Sequence, residues 1–232
     1  MANVGMRGFQ SIPPVIKNLL IANVVMWLAE LTFKEPFVNA LSLHYHESPD
    51  FGIWQIFTYM FMHDPSGIFH ILFNMFGLWM FGSTLEDVWG AKKFLAFYLI
   101  CGVGAGLIQM LTNYVEFTML TSQVHAGTLS VADYNMRAGS IYYTVILGAS
   151  GAIMGVFAAF AYLFPNTPLY MMPIPIPIKA KWWITGLILL DVFGGVNPRY
   201  GGGIAHFAHL GGALVGLILV IIMNRTNRRT FY

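Results

Sequence analysis

Residues Gly203–Met223 read GIAHFAHLGGALVGLILVIIM, an unbroken stretch without an Asp, Glu, Lys or Arg. A helix rises about 1.5 Å per residue and needs about 20 apolar positions to cross a hydrocarbon core of about 30 Å. The stretch is therefore read as a membrane-spanning helix, and two histidines inside it, His206 and His209, require a partner or a task. Composition agrees across the chain: of 232 residues 57% are hydrophobic and only 9% are charged, against about 25% charged in an ordinary soluble domain.

Five further apolar stretches precede this one. They cover about 17–33, 68–85, 94–113, a segment within Ile141–Phe164 whose helix is placed at about 148–164, and 182–196. The last of these is short, and its interfacial Trp182 and Trp183 suit a helix that ends below the far surface. Lys17, Asn18 and Asn23 interrupt the first stretch and no small-residue cleavage site follows, so it is a membrane helix rather than a signal peptide. Without an internal repeat or low-complexity tract, residues 1–232 form a single all-α polytopic membrane domain of six spans.

Charge fixes what the chain excludes and how it is oriented. Lys plus Arg number 12 against 10 acids, too even a balance to attract nucleic acid. The single cysteine, Cys101, supports neither a disulfide framework nor a cysteine metal site. Arg7, Lys17, Lys92, Lys93, Lys179, Lys181, Arg225, Arg228 and Arg229 fall on one side, whereas only Lys34, Arg137 and Arg199 fall on the other. The positive-inside rule then makes both termini cytoplasmic. Residues 34–67 are too long for a simple turn and carry Phe37, Phe51, Trp54, Phe57, Tyr59 and Phe61, which predicts a structured loop at the outer interface. A compact chain of this kind fits a bacterial plasma membrane.

Strongly polar side chains inside the spans are few: His70 and Asn74 one helical turn apart, Ser150, His206 and His209, with Glu30 and Asp191 at outer ends. Ser150 lies 15 residues before Pro165, and His209 lies 15 residues before Asn224. That spacing puts both about 22 Å above the inner boundary, with His70 at about 24 Å and Asn74 at about 18 Å. Polar groups from three spans thus share one level. Gly151, Gly155 and Ala159 on span four, and Gly212 and Gly216 on span six, are spaced by four and permit close helix contact. The aromatic and β-branched run Tyr142-Tyr143-Thr144-Val145-Ile146, followed by Gly148, predicts an extended approach with a helix starting near Ser150. Free N–H groups and a positive dipole end at such a start favour a developing oxyanion.

These motifs, in order, resemble those of the rhomboid intramembrane serine proteases over about Trp54 to Gly216. Trp54-Gln55 is similar to the family's first-loop motif, with Gln55 where arginine is frequent. His70-Ile71-Leu72-Phe73-Asn74 matches its His-x-x-x-Asn, with His63 upstream and Glu86 and Gly90 downstream. Gly148-Ala149-Ser150-Gly151 matches the nucleophile motif, and Ala208-His209-Leu210-Gly211-Gly212 with Gly216 the base motif. The resemblance implies Ser150 as nucleophile and His209 as general base, a two-member arrangement without an orienting acid. It further implies that His70, Asn74 and the Ser150 backbone N–H bind the oxyanion, and that Met154 stands where some members carry an aromatic ring. Substrates would be transmembrane segments of other proteins in the lipid bilayer, cut near their outer ends, with no cofactor and no metal.

Alternatives from other classes are weaker. No helical His-Glu-x-x-His exists for a zinc protease, and an aspartyl protease would need a second carboxylate at depth beside Asp191. A silent rhomboid-like protein that binds transmembrane clients would ordinarily lack the nucleophile or base, and a small-solute transporter would favour an inverted repeat. His206 reads as a helix-to-helix hydrogen bonder, while His44 and His46 read as solvated loop residues. Span five, flanked by Gly194-Gly195 and Gly201-Gly202-Gly203, is the expected substrate gate.

Overall fold

The computed structural model describes residues 12–171, 174–197 and 205–227. Arg7, Arg199, Arg228, Arg229 and Gly201-Gly202-Gly203, used above for orientation and hinges, lie outside them.

Within the described residues, each of the six expected spans coincides with a helix. Pro14–Leu41 forms α1, and Ile68–Gly77 (α3), a π-turn over Leu78–Gly82 and Ser83–Trp89 (α4) make one rod. Ala91–His125 is α5, Ser150–Leu163 is α7, Ala180–Val196 is α8 and His206–Asn227 is α9. Among the described residues, four helices are long and apolar enough to cross a membrane unaided: Pro14–Leu41, Ile68–Trp89, Ala91–His125 and His206–Arg225. The shorter α7 is the central element, and most of its side chains are buried among neighbours.

Each helix end has a local cause. Proline opens α1, where its missing N–H is no loss, and the buried Glu86 carboxylate accepts the next N–H groups, from Val15 at 2.9 Å and Ile16 at 2.8 Å. Lys34 takes φ 57°, a left-handed value that breaks α1 one residue after the expected limit of the first span. Gly90, at φ 80°, turns the chain sharply between α4 and α5.

Three elements differ from expectation. Helix α5 continues past residue 113 to His125 and pairs with an unforeseen helix, Val131–Tyr143 (α6), joined to it by Arg137 donating to Glu116 at 3.1 Å. The serine at 130 caps α6 by accepting the Asp133 N–H, a helix-start signal that is independent of apolarity. Between α7 and α8 the chain forms an antiparallel hairpin, Pro168–Met171 (β1) with Ile174–Lys179 (β2), bulged between Leu169 and Met171. Alternating Ile and Pro suit an edge pairing, because proline has no N–H for a second neighbour.

The outer loop is structured, as its aromatic content requires. Gln55–Thr58 (α2) and a 3₁₀ turn at Tyr59–Phe61 dock on α5, where Tyr59 OH donates to the Gly102 carbonyl at 2.7 Å. Trp54 Nε1 donates to Ala40 O at 2.7 Å, and buried Gln55 donates to Asp50 O at 2.8 Å. His44 is a correction: it is buried, and its backbone N–H donates to Gln55 Oε1 at 3.2 Å, so it helps hold the loop instead of facing solvent. His46 lies edge-on to Tyr45 and Tyr114.

Candidate active site

The site lies where α7 begins. Before it the chain is extended and pinned by the outer loop: Leu43 and Ile146 exchange N–H···O bonds of 2.8 and 2.9 Å, and the Gly148 N–H donates to Tyr59 O at 3.0 Å. Gly148 has φ 133°, which an L side chain rarely adopts, and the helix starts immediately after Ala149. Ser150 is the first helical residue, so its N–H has no partner within the helix and points from the positive dipole end.

Opposite it stands α9. His209 Nε2 lies 2.7 Å from Ser150 Oγ, which brings together two groups 59 residues apart in the sequence. The helices approach this closely through glycine: a Cβ on Gly212 would overlap the Gly151 carbonyl, and one on Gly216 would meet the Gly155 backbone at 2.5–2.8 Å. Gln109 on α5 accepts the Ala208 N–H at 2.9 Å and so anchors the start of α9 beside His209. Sequence reasoning missed Gln109, whose only signal was an amide inside an apolar span.

Asp191, read from the sequence only as an acid at an outer end, also reaches the site. The expected two-member arrangement lacked an acid, yet Asp191 Oδ1 on α8 lies 3.0 Å from His209 Nδ1 and 2.7 Å from His206 Nδ1. An ionised carboxylate can only accept, so both Nδ1 atoms carry the hydrogen and His209 Nε2 presents its lone pair to the serine hydroxyl. His206 links α9 to α8, the helix-to-helix bond expected of it. Gly194, one turn beyond Asp191, leaves room for the His206 ring. Gly194 and Gly195 are helical, within α8.

On the other side of Ser150 is α3. A Cβ built on Gly148 would stand 3.2 Å from His70 Nε2 and 3.5 Å from Ser150 Oγ, so these atoms border one small space. The Asp64 N–H donates to His70 Nδ1 at 3.4 Å, which leaves the ring hydrogen on Nε2, toward that space. The loop carrying Asp64 is fixed in turn by the buried Glu30, whose carboxylate accepts the His63 N–H at 2.9 and 3.1 Å. Burial and neighbouring His70 push the His63 imidazole down to about 4. Asn74, 7% exposed, has no hydrogen-bond partner for Nδ2 among the described residues. Met154 packs with Ala158 and Ala213 against Leu187 and Ile188.

A serine hydroxyl on an imidazole nitrogen, a carboxylate behind that imidazole and N–H donors at a helix start together equip a site for acyl transfer. The Rhomboid domain family model matches residues 50–226. The chain belongs to the rhomboid family. This rhomboid is a multi-pass membrane protein. It is 26% identical over 213 residues to the rhomboid protease AarA of Providencia stuartii, covering 88% of this chain and 70% of that protein. It is 28% identical over 149 residues to rhomboid protein 1, mitochondrial, of Saccharomyces cerevisiae, covering 64% of this chain and 36% of the yeast protein. It is 31% identical over 152 residues to the human presenilin-associated rhomboid-like protein, mitochondrial, covering 65% of this chain and 33% of that relative. The rhomboid thus spans about a third of the length of both mitochondrial relatives.

Proposed function

We propose that this rhomboid is an intramembrane serine endopeptidase that hydrolyses peptide bonds in or near the transmembrane segments of other membrane proteins. The observation that carries the proposal is the 2.7 Å approach of His209 Nε2 to Ser150 Oγ at the first residue of α7. Ser150 Oγ attacks the scissile carbonyl carbon while its proton passes to His209 Nε2. Negative charge on the carbonyl oxygen is met by the Ser150 N–H, His70 Nε2–H and Asn74 Nδ2. Collapse breaks the C–N bond, the leaving amine takes the proton from His209, and an acyl-Ser150 ester remains. A water, deprotonated by His209, hydrolyses the ester and restores both side chains.

With both termini cytoplasmic, the serine lies near the outer face, and substrates are cut there after local unwinding exposes a carbonyl. A bacterial plasma membrane is the compartment this reading favours, since the match to AarA covers 70% of that protein against 36% of the yeast and 33% of the human mitochondrial relative. A fluorophosphonate, which phosphonylates an activated serine with loss of fluoride, tests the nucleophile. The proposal expects one covalent adduct, on Ser150, formed by wild type and lost in His209→Ala. Absence of an adduct in folded protein, or an adduct on another serine, contradicts it.

A further inference from the structure

Asp191 is the only acid on α8, and only 8% of its surface is exposed. A buried carboxylate is expensive unless its lone pairs are filled. Here one oxygen, Oδ1, accepts from both imidazoles of the first turn of α9, at 2.7 Å from His206 and 3.0 Å from His209. The fold makes room for this: the glycine at 194 lets His206 lie against α8, and Gln109 fixes the backbone between the two histidines through the Ala208 N–H. Helix packing alone needs only one such bond. The second goes to the imidazole whose other nitrogen touches Ser150 Oγ.

We propose that Asp191 is a positioning residue, holding His209 as the Nδ1–H tautomer with the Nε2 lone pair on Ser150, an inference that rests on the protease reading above. A neutral imidazole without an acceptor at Nδ1 divides between two tautomers and several ring orientations. Only one of these can take the serine proton. As His209 gains that proton, the carboxylate 3.0 Å away also stabilises the imidazolium. The other titratable groups facing His209 are His206 on its own helix and His70 on α3, neither of which carries a fixed negative charge.

The test compares wild type, Asp191→Asn and Asp191→Glu in detergent on a single-span substrate, as kcat, KM and kcat/KM against pH. Asp191→Asn is expected to lower kcat by about 10²–10⁴-fold with KM unchanged. Its acidic limb should move to lower pH, because the imidazolium has lost its counter-charge, and Asp191→Glu should recover part of the rate. A folded Asp191→Asn with wild-type kcat and an unmoved acidic limb overturns the inference. Nitrogen-15 NMR of the histidines in the wild-type protein provides a test that requires no variant. A protonated Nδ1 and bare Nε2 at His209 are expected, and the reverse tautomer overturns the proposal. If wild type cuts nothing, the protease reading fails, whereas the NMR result still judges the role of Asp191.

Discussion

Gly212 and Gly151 face each other so closely that a Cβ on Gly212 would occupy the Gly151 carbonyl. Helix α9 can carry His209 to Ser150 only while that contact has no side chain between its backbones. Gly212→Ala therefore forces α9 away from α7. Overpacking of this kind costs about 1–3 kcal/mol. Thermal unfolding in detergent should show the loss, and peptidase activity should fall further than stability does. A variant with wild-type activity would mean that the seam does not set the spacing of the site.

His70 and Asn74 are proposed oxyanion donors, and each is predicted to act in the transition state more than in substrate binding. Removing one such donor typically lowers kcat by about 10²–10³-fold. Steady-state kinetics of His70→Ala and Asn74→Ala should show that fall with little change in KM. A rise in KM at unchanged kcat would assign them to substrate binding instead.

Glu86 holds the start of α1 through the Val15 and Ile16 N–H groups. Glu86→Ala leaves two donors without their acceptor, at about 1–3 kcal/mol for each one buried. A lower unfolding midpoint is expected, together with faster hydrogen exchange confined to the first turn of α1.

Folded stability should depend on pH through His63. Its folded value is lowered to about 4 from an ordinary 6.5, so the unfolded chain binds the proton more readily. This contribution is fully present above pH 6.5 and is lost as the pH falls toward about 4, to a total of about 3 kcal/mol. Denaturation midpoints across that range should decline for wild type and flatten in His63→Asn.

The spans were legible because hydrocarbon-length apolar runs have few other uses. The helix start at Ser150 was legible too, since Gly148 and the β-branched run before it interrupt helical periodicity. Facing glycines on α7 and α9 announced a close seam through their spacing of four. Other features have no local signature. Asp191 meets His209 only because α8 and α9 pack, and neither residue's neighbours in sequence announce the pairing. Gln109 is an unremarked amide until α9 places the Ala208 N–H on it, and His44 resembles a solvated loop histidine until Gln55 is buried beside it. Helix α5 runs past the hydrocarbon limit because nothing at residue 113 stops a helix, and an apolar run marks only the part of a helix that lies in hydrocarbon.

The central claim is that Ser150 and His209 together cleave a peptide bond of a membrane-spanning substrate. The most direct measurement incubates a purified single-span substrate with wild type, Ser150→Ala and His209→Ala in detergent, and maps the products by mass spectrometry. Wild type should yield one cut at the outer end of the substrate's apolar segment, while both variants bind the substrate and leave it whole. Binding without cleavage by wild type, or cleavage that persists in Ser150→Ala, would contradict the claim.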